Sequence, residues 1–372
     1  MVKIGTITFH ASHNYGSMLQ AFALQEFIKK TFDKKCEYKI INFVPPTQRE
    51  VYKSLYDPTN TLKKKIQGAF LNKNKQDLLN KYEKFENFKN TKLYLTEEYT
   101  NNEELAAANQ NFDFYIAGSD QIWNFNRNMS DFDWAYLLNF TNSQNKISYA
   151  TSMGPKNQNH SAEKEASFKK LINKFKYISV RDEATQNFLK SNFSVNSEVL
   201  PDPCLLLTKE EWLSKLKPDS KIIDDDYIFL YHFNNKEAAK IANKIHNYTN
   251  LPIVVSQAPN KLEVLYKFKR NLDVGPVEFL SLVQGSKFVL TTSLHACIFS
   301  LIFNKNFFAI NGLSDYRIAS LLKHYNLEEH NMNHKNFKIK INSVKGVKNE
   351  VFTLINKDRA EAKRILEEQI II

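Results

Sequence analysis

The chain has 372 residues, more than one ordinary core accommodates, so two domains are expected. At 42% hydrophobic and 13% aromatic it can bury substantial cores, which excludes an intrinsically disordered protein. A formal net charge of +11 favours anionic partners: phosphorylated donors, acidic glycans or an anionic membrane surface. Nucleic acid is not expected, because no recognition motif occurs and the basic segment lacks interleaved Arg.

Residues 2–9 form an apolar run of strand character, and 18–25 have the apolar spacing of a helix. Between them, His13-Asn14-Tyr15-Gly16-Ser17 has the layout of a loop that presents backbone N–H groups and a helix's positive end to a ligand. The spacing is neither G-x-G-x-x-G nor a P-loop, so an anion or sugar is expected there rather than NAD or ATP. No signal-peptide pattern opens the chain, and no apolar run approaches the roughly 18 residues that span a bilayer. A cytoplasmic protein is expected.

A second strand covers 36–43, ended by Pro45-Pro46. A basic, mostly helical insertion is predicted over about 61–90. From Thr61 to Lys92 nine lysines (63, 64, 65, 73, 75, 81, 84, 89 and 92) face Asp77, Glu83 and Glu86. This is either a solvated face or a docking surface for anionic lipid or a polyanionic acceptor, giving peripheral contact at the inner face of the membrane. Strands at 112–117, 146–151 and 177–180, helices at 161–176 and 182–191, and a run at 195–200 ending in Pro201-Asp202-Pro203 complete a first domain, 1–217. A second domain, 218–345, places strands at 227–231, 253–255, 288–291 and 307–310 around helices at 236–248, 277–284 and 294–303. In the terminal segment 346–372, a helix at 349–368 is expected to pack back on the first domain. Alternating strand and helix indicate parallel βαβ units in both halves. Two such α/β domains facing across a cleft would hold the active site between them.

Gly118-Ser119-Asp120-Gln121-Ile122-Trp123-Asn124 directly follows an apolar strand. Gly118 permits a turn or a close approach to a ligand. Ser119, Asp120, Gln121 and Asn124 can bond sugar hydroxyls while Trp123 stacks on a ring; alternatively, the polar residues cap a turn and Trp123 fills a core. Thr291-Thr292-Ser293-Leu294-His295 puts a histidine in the first turn of an apolar helix, where anions collect and general acids are displayed. A satisfied core histidine is the competing reading. Arg181 and Arg317 stand out in a chain whose positive charge is mostly Lys, since Arg binds carboxylate or phosphate bidentately. Equally, Arg181 could pair with Asp182 or Glu183, and Arg317 with Asp315. Asp202, between two prolines, reads as a turn residue more than as a catalytic carboxylate. His330 and His334 have metal-pair spacing without an intervening Glu, so no metal is expected. Cys36, Cys204 and Cys297 form no C-x-x-C pair, which argues against disulfides and zinc, and Cys297 is expected to be buried.

Taken together and in order, these blocks resemble the polysaccharide pyruvyl transferase family. The matching segments are His13 to Gln25, Gly118 to Asn124, Ser148-Tyr149-Ala150, Ser179-Val180-Arg181-Asp182, Pro201-Asp202-Pro203, Val274-Gly275-Pro276 with Glu278-Phe279-Leu280, and Leu290 to Ile310. The resemblance implies two Rossmann-like domains of GT-B type. It also implies transfer of a pyruvyl group from phosphoenolpyruvate onto two sugar hydroxyls, with a cyclic ketal formed, phosphate released and no further cofactor. On matching positions, His295 and Asp120 become the catalytic candidates, His295 as acid or phosphate contact. Arg181, Arg317, Ser293 and His295 would hold the donor. His13, Asn14, Tyr15, Gly16, Ser17 and Gln20, with Gly118, Ser119, Asp120, Gln121, Trp123 and Asn124, would hold a lipid-linked or nucleotide-linked sugar acceptor. Many members carry Arg two residues before the histidine. This sequence has Ser293 there and resembles a branch with the Gly-Ser-Asp-Gln-Ile-Trp motif, with Arg317 as the candidate replacement. A GT-B glycosyltransferase using a nucleotide sugar, and a non-catalytic glycan-binding relative, are the alternatives.

Overall fold

In the computed structural model, which describes residues 1–56, 74–125, 133–154, 161–233, 235–257, 261–343 and 346–371, the apolar runs of the first half become parallel strands. They are β1 (Val2–Ile7), β2 (Cys36–Phe43), β3 (Leu95–Tyr99), β4 (Phe114–Asp120), β5 (Lys146–Thr151), β6 (Tyr177–Val180) and β7 (Glu198–Val199). The sheet order is β3-β2-β1-β4-β5-β6-β7. β4 and β5 are buried along their whole length, as expected where helices cover both faces of a parallel sheet. β1 pairs with β2 on one side and β4 on the other, so the winding reverses between β1 and β4. The crevice at the carboxyl ends of two such strands is where open α/β sheets bind ligands.

The second half repeats the plan. β8 (Ile228–Tyr231), β9 (Ile253–Val255), β10 (Lys269–Arg270), β11 (Phe288–Thr291), β12 (Asn306–Ile310) and β13 (Asn331–Met332) lie in the order β10-β9-β8-β11-β12-β13, all parallel. The reversal falls between β8 and β11.

The helices follow from local sequence. Asn14 caps the helix Tyr15–Phe32, accepting from the backbone of Gly16 and Ser17. That helix is buried nearly all round, including Gln20 and Gln25, because both its faces meet protein. The helix Lys236–Thr249 instead buries one stripe, Ala238, Ala239, Ile241, Ala242 and Ile245, behind an Asn235 cap.

One compact unit takes in the described residues up to 56, Glu86–Leu207 and the chain from Lys357 on; the other takes in 74–85 and 208–356. The division falls after Leu207 rather than at 217. Thr208 opens a capping-box helix, Lys209–Leu216, whose Trp212 packs edge-on against Phe299 at 5.1 Å, within the second unit. The helix Asn349–Gln369 gives its later turns to the first unit, where Arg359 donates to the carbonyls of Leu205 and Leu207. Of the expected basic insertion at about 61–90, residues 57–73 lie outside the described residues, and Lys75–Lys92 is helical. Among the described residues no helix is long and apolar enough to cross a membrane.

Candidate functional site

In the first unit, the two opening motifs meet at the reversal between β1 and β4. Asp120 ends β4 with φ +77, a conformation costly for a residue with a Cβ. Its position is held from three sides. The Ser17 hydroxyl donates to Oδ2 at 2.6 Å, the Gln121 N–H donates to Oδ1 at 2.8 Å, and Arg181 Nη1 stands 3.7 Å from Oδ1. Gly118 is required where it stands: φ is +140, and a Cβ would collide with the Tyr149 carbonyl.

Around this point the motif residues bond to one another. Gln20 Nε2 donates to Thr8 Oγ1 and to the Ser17 carbonyl, both at 2.9 Å. Thr8 donates to the Ser119 carbonyl, and Ser119 donates to the Ala150 carbonyl. Asn124 Nδ2 donates to Gln121 Oε1 at 3.3 Å. Asn14 is the helix cap, Tyr15 is buried beside Gly16, and His13 Nε2 lies 3.0 Å from Glu86 Oε1. Burial pushes the Glu86 carboxyl up, but His13 and Lys89 outweigh it and bring it down to about 2. Many residues expected to grip an acceptor thus build the loop that presents Asp120.

Trp123 lies elsewhere than expected for a ligand-stacking ring. It does not stack on a ligand from an exposed position; it is 0% exposed in the core. Its indole N–H donates to the Tyr136 carbonyl, and its ring meets Phe168 and Phe175 edge-on at 6.0 and 5.8 Å. A Trp three residues past a strand end is carried by the turn back under the sheet, where its large apolar surface is worth most.

Arg181 follows β6. Its side chain is 4% exposed, and Nη1 donates to Asp202 Oδ2 at 2.9 Å. Asp182, its neighbour in sequence, instead caps the helix Glu183–Phe193 and accepts from Ser152. Burial works against the guanidinium's charge, but Asp202, Asp120 and Asp182 prevail and raise its pKa. Nε and Nη2, the edge that takes a carboxylate or phosphate bidentately, are buried without a hydrogen-bond partner among the described residues. Asp202 also accepts from the Cys204 N–H, so it is both turn residue and counter-ion. The Pro-Asp-Pro motif signalled its rigidity and not its partner. Burial and Asp202 push the Cys204 thiol well up, away from nucleophilic character.

In the second unit, β11 leads through Ser293 into the helix Leu294–Ile302. Ser293 occupies the cap position without a side-chain cap bond, and its N–H donates to Thr291 Oγ1. His295 is half-buried in the first turn. Burial pushes the Cys297 thiol well up. Arg317 spends the edge that Arg181 keeps open: Nε and Nη2 donate to the two oxygens of Asp315 at 3.1 and 2.7 Å. Burial alone would raise the Asp315 carboxyl, yet Arg317 holds it below the ordinary range. His330 is buried and stacked on Phe307 with centroids 4.4 Å apart, while His334 sits outside beside Glu237, so the two do not share a helix face.

The fold has solved counterparts. UDP-GlcNAc 2-epimerase from Methanocaldococcus jannaschii superposes with a TM-score of 0.56 at 14% identity, covering 99% of this chain and 100% of that one. The same enzyme in complex with UDP-GlcNAc and UDP gives 0.53 at 14% identity, covering 99% of each chain. Such likeness shows the fold alone: two parallel-sheet α/β units of GT-B type. No curated protein sequence matches the chain. The ordered motifs and the paired α/β plan agree with the match of residues 14–314 to the polysaccharide pyruvyl transferase model, and the chain belongs to that enzyme family.

Proposed function

We propose that this enzyme transfers the pyruvyl group of phosphoenolpyruvate to two hydroxyls of a sugar in a glycan precursor, forming a cyclic ketal. The atoms balance simply. The methylene carbon gains a proton and becomes the ketal methyl, two C–O bonds form at the central carbon, and its bond to phosphate breaks. Of the two hydroxyl protons, one replaces that taken up by carbon and the other leaves with phosphate.

The observation that carries the reading is Arg181, buried at a strand end with its Nε–Nη2 edge unspent. Burying that edge without a partner is costly, and a carboxylate or phosphate oxygen pair would satisfy it. We assign the donor to this edge. Asp120, preset by backbone and Ser17, serves as the base for an acceptor hydroxyl, with Gln121 and Asn124 beside it. His295, in the first turn of its helix, is assigned the part of general acid. Arg317, tied to Asp315, orders the start of the helix Tyr316–His324. A lipid-linked or nucleotide-linked acceptor, met in the cytoplasm or at the inner membrane face, suits the net charge of +11.

Calorimetric titration with phosphoenolpyruvate, alongside a panel of nucleotide sugars, tests this. Saturable phosphoenolpyruvate binding that is lost in Arg181→Lys is expected, because Lys cannot supply the fork. His295→Ala should abolish phosphate release with the melting temperature nearly unchanged. Binding of a nucleotide sugar alone would replace this reading with a glycosyltransferase.

A further inference from the structure

The second unit carries a polar cluster that this reaction does not use. β10 is the edge strand, with Arg270 opposite Val255 of β9, and the Asn271 N–H donates to the Val255 carbonyl. Beyond Val255 the chain continues into Ser256 and Gln257; beyond β8 it reaches His232. Five polar atoms on three of these residues are shielded from solvent with no hydrogen-bond partner among the described residues: Arg270 Nε and Nη2, Gln257 Oε1 and Nε2, and Ser256 Oγ. Native interiors satisfy nearly all such groups, so five together at adjoining strand ends call for an occupant.

Hydrogen bonds and an ion pair run through parts of the frame around them. His232 Nδ1 accepts from the Asn235 N–H at 2.9 Å, so its proton sits on Nε2 and is donated to Glu263 Oε1 at 2.7 Å. Lys81 Nζ donates to the Ser256 carbonyl at 3.0 Å, and Lys84 Nζ lies 2.8 Å from Asp273 Oδ1. Burial pushes the Arg270 guanidinium's pKa down, and the field of Glu263 offsets only part of this. The unspent edge of Arg270 is the same Nε–Nη2 fork that Arg317 presents to Asp315.

We propose that the carboxyl ends of β9 and β10 form a second anion site, in which the Arg270 fork clamps a phosphate or carboxylate group. Gln257 and Ser256 bond a polar atom next to that group, Gln257 supplying one donor and one acceptor. The site is independent of the donor assignment to Arg181.

The full-length protein, labelled at arginine side-chain nitrogens, is titrated with inorganic phosphate and separately with malonate. Arg270→Lys identifies the Arg270 Nε–H resonance by its loss. A saturable shift of that resonance is expected, retained in Arg181→Lys and weakened roughly tenfold in Gln257→Leu. A response to phosphate alone assigns a phosphorylated ligand; a response to malonate alone assigns a carboxylate. No saturable shift with either anion overturns the proposal. So does a shift that disappears in Arg181→Lys, which would place the anion on the proposed donor residue.

Discussion

Arg181 and Arg317 each lie within two residues of an aspartate in sequence, and the fold uses them in opposite ways. Arg317 closes on its local Asp315 through both fork nitrogens, with the two side chains 24% and 29% exposed. Arg181 ignores Asp182, which is occupied as a helix cap, and pairs through Nη1 with Asp202, 21 residues away, keeping its fork open and buried. An arginine satisfied by its own loop organises that loop. One held by a distant carboxylate, with donors to spare, is poised for a ligand.

The largest expected effect comes from Arg181→Met, which leaves the Asp202 and Asp120 carboxylates buried without their cation. A loss of about 3–5 kcal/mol in urea unfolding at pH 7 is expected. In that variant the folded-state carboxyl pKa rises above its unfolded value. The deficit is therefore largest at neutral pH and shrinks as pH falls through that raised value toward about 4. An unchanged midpoint at pH 7 would break the contrast with Arg317.

Trp123→Ala should cost about 3–5 kcal/mol by emptying the core under the same loop, whereas Trp123→Phe should be mild. A drop in acceptor affinity in the Phe variant, with the melting temperature unchanged, would return Trp123 to the ligand.

Glu86 is an intermediate case, partly exposed and served by His13 and Lys89. Its folded pKa of about 2 is depressed, so its contribution is complete above the unfolded value near 4.3 and is lost as pH falls toward 2. Glu86→Gln should therefore cost about 1 kcal/mol at pH 6 and nothing at pH 2. Equal losses at both pH values would show that packing, not charge, matters there.

The smallest effect belongs to Arg317→Met, below about 1 kcal/mol because its ion pair is half open to water. If phosphoenolpyruvate affinity fell in this variant as far as in Arg181→Lys, the functional distinction between the two arginines would collapse.

By itself the sequence determined the elements that local chemistry writes twice, in period and in punctuation. β2, β5, β6, β9 and β11 lie where their apolar runs lie, and Asn14, Asp182 and Asn235 cap the helices they precede. It also placed the Gly118–Asn124 and Thr291–His295 motifs at the ends of strands, which is enough to mark the region of chemistry. Tertiary structure alone decided the rest. β3, β10 and β13 are short or polar edge strands that exist because a neighbour's ladder pairs with them, so no periodicity announces them. The burial of Trp123, the choice of Asp202 over Asp182 by Arg181, and the division after Leu207 depend on partners far away in sequence. Helical and strand periods are set by neighbours within a few residues and survive in a linear reading. Which polar atoms are spent and which stay open is set by the packing of segments a hundred residues apart.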